Sequence, residues 1–484
     1  MVNKSIKINF IMNMLLTVSS LVFPMITFPY VSRVLQPIGT GKVAFATSII
    51  SYFLLISQLG IPTYGIRACA KVRDDKEKLS RTVHEILLIN TITTLVSYVV
   101  FGILLSLNSK LSSDKALYVI VSLTIVLNTV GCEWLFKALE EYSYITIRSL
   151  IFKFVGLIIT FLLVKSTKDY YIYAAITVFI NSASNILNLF MLKKMIVIYP
   201  VKNINLKQHL KPIFVFFAMS CATTVYTNLD IIMLGFIKDD FEVGLYNSAI
   251  KIKSILVAVV TSLGAVILPR ATYYSSKGLK KEFEDMCNKS LKFVLFLSLP
   301  CFFFFIFFAK ETVLILFGVE YIRSISTMQI LMPTVLLIGI SNILGMQVLV
   351  PKGFEKIVLF SEILGALTDL VLNFILIPLL SLVGAGIGTL IAELVVLLIQ
   401  YIYIKKKDIV IIKGLEVKDF ILASIIALII PVFIKIIFNN KVLVLSFALL
   451  SYGFIYVMVL LCFFRQSDVV EVKNKMFCWL KGKL

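Results

Sequence analysis

Ionisable side chains interrupt several long apolar runs of this sequence. The cations are Lys153, Lys251, Lys253 and Lys435, with Arg33 just beyond the first run. The acids are Glu133, Asp230, Glu362, Asp369 and Glu393. A charge placed in hydrocarbon costs about 2.5–3.5 kcal/mol or more unless it pairs or meets water, so each of these is a candidate for function. Buried cations in both halves of the chain would create a cavity that attracts an anion such as a phosphate. The acids are candidates for gating or ion coupling. Glu362, Asp369 and Asn373 lie at spacings of seven and four, which puts them on one helical face. Each residue also has a plainer reading. Lys251, Lys253 and Lys435 can snorkel to a nearby membrane surface, Glu133 can pair with Lys137 or Arg148, and any Asp can pair with a Lys on a neighbouring helix.

Enzymatic chemistry finds little support in the sequence. Gly39-Thr-Gly41-Lys42 is half a P-loop, without the earlier Gly or the Ser/Thr after the Lys. Gly384-Ala-Gly386-Ile-Gly388 has dinucleotide-loop spacing, but no βαβ unit surrounds it, and close packing through small residues explains it better. The two histidines, His84 and His209, form no metal cluster, and the seven cysteines include no CxxC pair. No enzyme activity and no tightly bound cofactor are expected.

The elements that must position these charges follow from composition. Of 484 residues, 59% are hydrophobic and 15% charged, with a mean hydropathy of +0.97. The apolar residues come in runs of about twenty, the length that crosses a bilayer as a helix. An all-α integral membrane protein with about fourteen spans is expected. The spans fall at Ile8–Val31, Val43–Gly65, Glu85–Leu107, Ala116–Phe136, Ser149–Val164, Tyr170–Leu192 and Pro212–Ile237. They continue at Tyr246–Leu268, Ser290–Ala309, Met328–Val350, Ile357–Leu379, Gly384–Ile404, Phe420–Phe438 and Val442–Phe464. The first is expected to be retained, since no small-residue cleavage site follows it.

A net charge of +20 does not point to nucleic acid, because Lys and Arg crowd into alternate loops. With both termini in the cytosol, about 33 of them fall in cytosolic segments, about 10 outside and about four within spans.

The chain also repeats itself. Gly41, Ala46, Leu59-Gly60, Pro62 and Arg67 recur as Gly244, Ala249, Leu263-Gly264, Pro269 and Arg270. The offset of about 200 residues, or six spans, gives both copies the same polarity, as in a parallel repeat of transporter bundles. The expected organisation is a six-helix bundle over residues 1–207, a second over 208–408, and two additional helices with a cytosolic tail over 409–484.

Longer patterns carry a family resemblance. They are Pro29-Tyr-Val-Ser-Arg33-Val-Leu35 with Tyr64-Gly65 and Arg67, Glu133-Trp134-Leu-Phe136 with Arg148 and Lys153, Asn228-Leu-Asp230, and Asn373-Phe-Ile-Leu-Ile-Pro378 with Gly384-Ala-Gly386, Thr389 and Glu393. The sequence resembles the Wzx-type polysaccharide-repeat-unit flippases of the MATE-like multidrug/oligosaccharidyl-lipid/polysaccharide exporter superfamily. It departs at Lys137-Ala138, where Gln-Gly is the expected pair.

The resemblance implies a MATE-like fold that flips undecaprenyl-pyrophosphate-linked oligosaccharide across the bacterial cytoplasmic membrane for capsule or O-antigen assembly. Alternating access would be coupled to an H+ or Na+ gradient, with a polysaccharide polymerase and other assembly proteins as partners. It makes Arg33, Arg67, Arg148, Lys153, Lys251 and Lys253 candidates for holding pyrophosphate or sugar. Glu133, Asp230, Asp369, Asn373 and Glu393 become candidates for gating or coupling. The alternatives on the same scaffold are a multidrug cation antiporter and a lipid II flippase. A glycan polymerase would need a large external catalytic loop, and the longest one expected, Lys310–Thr327, is short and mostly apolar.

Overall fold

In lipid every backbone N–H must find an acceptor within the protein, so runs this apolar have helices as their natural outcome. The computed structural model describes residues 6–197, 204–410, 412, 414–438 and 440–462, and the regular structure among them is entirely helical. The cytosolic tail expected from Arg465 lies outside the described residues.

The helices run in chain order as α1 (Ile6–Gln58), α2 (Ile61–Lys71), α3 (Lys76–Leu107), α4 (Ser109–Ser112), α5 (Lys115–Gly131), α6 (Glu133–Ala138) and α7 (Tyr142–Leu163). There follow α8 (Tyr170–Ser182), α9 (Ile186–Met195), α10 (Lys207–Ile237), α11 (Asp240–Ser276), α12 (Lys280–Phe307) and α13 (Ala309–Leu316). The last are α14 (Ser324–Asn342), α15 (Glu355–Leu380), α16 (Leu382–Lys406), α17 (Val417–Ala427), α18 (Ile429–Ile437) and α19 (Lys441–Cys462).

Among the described residues 11 helices are long and apolar enough to cross a membrane, or 12 if one bent pair within α10 forms a single span. The fourteen spans read from the sequence are compatible with this set. The first two are fused in α1, which breaks at Gln36 (φ 58) just before Pro37. The fourth corresponds to α5, which is apolar but shorter than the others. A loop expected between the first two spans is therefore a single left-handed residue, and Arg33 sits in helix.

The packing divides the chain into two compact units, Met1–Asn247 and Ser248–Leu484, with the division inside α11. The sequence boundaries at 207 and 408 follow the repeat rather than this packing.

In the first unit α1 and α7 run parallel in a fixed register. Thr146 Oγ1 donates to the Met12 carbonyl at 2.9 Å, Lys153 donates to Ser19 at 2.8 Å, and Tyr30 donates to the Val164 carbonyl at 2.8 Å. Parallel running is what two odd-numbered spans require. Hydroxyls join α1, α3 and α5 across their crossing: Ser57 meets Thr94 at 2.6 Å, and Thr94 meets Thr129 at 2.7 Å. Such interhelical bonds stand in for a hydrophobic drive that lipid does not supply. Asp75 caps α3 by accepting from the backbone N–H groups of Glu77 and Lys78. The Lys78 backbone N–H, with its ammonium, holds the Asp75 carboxyl below the usual carboxylate range.

Where α1 resumes after its break it meets the start of α11, and two glycines make the contact. A Cβ on Gly41 would overlap the Asp240 carbonyl, and one on Gly244 would overlap the Pro37 carbonyl. Only glycine lets two backbones approach this closely.

In the second unit α15 and α16 are antiparallel. Gln400 donates to Ser361 at 3.0 Å at one end, and a Cβ on Gly384 would press on the Leu376 carbonyl at the other. This matches the small-residue packing expected of Gly384-Ala-Gly386-Ile-Gly388. The last two spans are more integral than additions at the periphery. Phe420, Ala427, Tyr452 and Tyr456 share a buried cluster with Leu299, Phe304 and Phe308 of α12 and its C-cap.

Candidate functional site

The first unit gathers a chain of alternating charges from α6 and α7. Arg148 is buried, and its two terminal nitrogens donate to the Ser184 carbonyl at 3.0 Å and to Glu133 Oε2 at 3.2 Å. Its Nε has no hydrogen-bond partner among the described residues, and its guanidinium lies 5.7 Å from the Tyr144 ring centroid. The other oxygen of Glu133 takes Lys137 Nζ at 2.8 Å. Glu133 thus does both things its sequence position allowed, pairing with Lys137 and with Arg148. It is held by position: α6 starts after left-handed Cys132, so its first residue turns back over α7.

One turn and a half along α7, Lys153 is 5% exposed. It donates to Ser19 at 2.8 Å and to Ser20 at 2.7 Å, and no carboxylate lies within ion-pair distance of it among the described residues. Two hydroxyls solvate an ammonium but do not neutralise it. A buried cation in this state favours any anion that reaches it.

Arg33 and Arg67 are exposed on α1 and α2. They do not join the buried set. Asp230 of α10 is buried and accepts from Tyr246 of α11.

In the second unit Asp369 and Asn373 are buried on the face of α15 that also carries Ser361 and Gly365. That face packs on α16, where a Cβ on Gly388 would lie 3.0 Å from Asp369 Oδ1. Glu393 is buried on α16, whereas Glu362, seven residues before Asp369 on α15, is half-buried. Lys251 is exposed and Lys253 half-buried on α11. Lys435 does not simply snorkel: it pairs with Glu311 at 3.0 Å and lies 5.6 Å from the Phe308 ring.

Two clusters escaped the sequence reading. Glu85 of α3 accepts from His209 Nε2 at 2.7 Å, Gln208 Nε2 at 2.9 Å, the Asn205 backbone N–H at 2.8 Å and Arg81 Nε at 3.2 Å. Tyr64 closes the network on His209 Nδ1 at 2.6 Å. Elsewhere, Lys42, the lysine of the half P-loop, pairs with Asp114 at 3.1 Å beside Tyr170. Its helix and its carboxylate partner leave no phosphate cradle. Among the described residues no three His, Cys, Asp or Glu side chains converge to hold a metal.

Known proteins share this design. A family model described as "Polysaccharide biosynthesis protein" matches residues 6–275, and one for MatE matches residues 216–375. A "Putative O-antigen transporter" of Shigella dysenteriae is 27% identical over 401 residues, covering 81% of this chain and 98% of the relative. Its counterpart of that name in Escherichia coli K12 is 24% identical, covering 81% and 95%. Among solved structures, the lipid II flippase MurJ in an inward closed conformation superposes with a TM-score of 0.74 at 17% identity, covering 94% of this chain and all of that one. An inward-facing multidrug resistance MATE transporter gives a TM-score of 0.64 at 15% identity, covering 80% and 94%. These likenesses fix the fold as MATE-like. With more than half of its length matched in order, this multi-pass membrane chain belongs to the polysaccharide biosynthesis protein family.

Proposed function

We propose that this protein flips an undecaprenyl-pyrophosphate-linked oligosaccharide from the inner to the outer leaflet of the bacterial cytoplasmic membrane, by alternating access and without enzymatic chemistry. The observation that carries the reading is Lys153, a buried ammonium held by Ser19 and Ser20 with no carboxylate within ion-pair distance among the described residues. Such a charge repels a cationic drug, whereas a pyrophosphate supplies it with a counter-ion. The named relatives of similar length point the same way.

In this reading Lys153 and Arg148 attract the headgroup in the first unit, and Lys251 and Lys253 do so in the second. Arg33 and Arg67 lie along the approach. Asp230, Asp369, Asn373 and Glu393 are the groups through which an H+ or Na+ gradient would be coupled, with Glu133 balancing the cations. Both termini are placed in the cytosol on the loop charges, and a polysaccharide polymerase is the natural downstream partner. The likeness to MurJ favours lipid II as the second cargo to consider, since both cargoes share a polyprenyl pyrophosphate.

The test is reconstitution into liposomes with defined lipid-linked sugars, scoring leaflet transfer with and without ion gradients. Transfer of an oligosaccharide repeat unit is expected. Export of small cations with no transfer of any lipid-linked sugar would overturn the reading.

A further inference from the structure

A cavity of about 450 Å³ opens in the first unit between the start of α1, the end of α2 and the turn from α6 to α7. That volume falls within the about 300–1,000 Å³ typical of small-molecule sites. Its polar lining is Asn9, Asn13, Arg73, Lys137, Glu140 and Tyr142. A guanidinium and an ammonium suit phosphoryl oxygens, while amides, a carboxylate and a phenol suit sugar hydroxyls.

The backbone adds a second sign. Glu140 is left-handed at φ 57, a conformation that side chains other than glycine rarely adopt. Its carboxylate is taken by Arg73 at 2.8 Å and by Asn9 at 3.4 Å. Strain of this kind gathers at ligand sites. The Arg73–Glu140 pair is 44% and 43% exposed, so solvent screening leaves it weak and exchangeable. Across the cavity Lys137 leans on Glu133, which also holds buried Arg148. A ligand that draws Lys137 away would leave the Glu133 carboxylate to Arg148 alone.

We propose that this cavity is a docking subsite for a pyrophosphoryl-sugar headgroup, which Arg73 and Lys137 take in exchange for their carboxylate partners. The proposal rests on the transport reading for its cargo and deepens it by naming an admission site distinct from Lys153. It makes Glu140 a competitor of the ligand, so removing its charge should strengthen binding.

The experiment uses the full chain in nanodiscs, with undecaprenyl pyrophosphate in the disc or inorganic pyrophosphate in solution as probes. Affinity is measured for the native protein and for Arg73→Gln, Lys137→Gln and Glu140→Gln. Each cation variant should bind about tenfold more weakly, the scale of one lost hydrogen bond to a charged group. Glu140→Gln should bind at least as tightly as the native protein. Binding of the lipid probe alone supports a headgroup delivered from the membrane, and equal binding of both supports the same subsite open to free phosphates. Native affinity in both cation variants overturns the subsite, and so does a Glu140→Gln variant that loses binding. Liposome transfer run in parallel separates the two ideas. Intact transfer with unchanged affinities sinks the subsite alone, whereas a protein that binds pyrophosphate but transfers no lipid-linked sugar sinks the transport reading alone.

Discussion

Gly41 and Gly244 make one contact twice. Each lacks the Cβ that would collide with the other segment's backbone, Gly41 against Asp240 and Gly244 against Pro37. The pair 37 and 41 recurs as 240 and 244, so the repeat seen in the sequence is self-complementary in space. Helices related by a two-fold axis meet in this way, each offering the same patch to the other.

Substituting either glycine should therefore cost about the same. Gly41→Ala and Gly244→Ala should each destabilise the protein by about 1–3 kcal/mol, because backbone must move to make room. Thermal unfolding in detergent measures this. Native-like midpoints for either variant would show the approach to be looser than described.

Lys153→Met separates stability from transport. Replacing a buried ammonium that has no carboxylate within ion-pair distance among the described residues with an apolar side chain of similar length should leave the midpoint unchanged or raised. Glycan transfer should nevertheless fall about tenfold or more if the charge meets the headgroup. A variant that transports normally removes Lys153 from the path.

Arg148 should tolerate no shortening of its reach. It binds Ser184 and Glu133 with separate nitrogens, and lysine has one. Arg148→Lys should lose about 1–3 kcal/mol, and Glu133→Gln should lose less because Glu133 is 35% exposed. The reverse order in a denaturation series would mean that Lys137, not Arg148, is the main partner of Glu133.

Glu85 should pin the start of α10. Glu85→Ala removes the acceptor shared by Asn205, Gln208, His209 and Arg81. Amide exchange at Asn205 should then accelerate about tenfold or more, reflecting at least one lost bond to a charged group. An unchanged exchange rate would mean that α10 is anchored by other contacts.

Much of this architecture was legible because apolar length and loop charge are strong signals in a membrane chain. Ser149–Val164, the shortest expected span, proves to be the C-terminal part of the 22-residue α7 with its C-cap Val164. The break at Gln36 is not legible, since no residue type there marks a positive φ, and Gly39 and Gly41 of the half P-loop are packing positions within helix. Of the charges, the Glu133 pairings were visible because i,i+4 spacing predicts one of them. The Lys435–Glu311 and Glu85–His209 pairs join residues more than a hundred positions apart, and no local period announces them. Glu85 was read only as the edge of a span, which hid its role as a hub.

The common register of α1 and α7 limits how this machine can work. Met12 with Thr146, Ser19 with Lys153, and Tyr30 with Val164 are rungs spread along one parallel pair. An axial slip of one turn, about 5.4 Å, would break all three rungs at once. The pair therefore travels as a single strut. Lys153 is expected to move with α1 and α7 together in any rearrangement of the first unit.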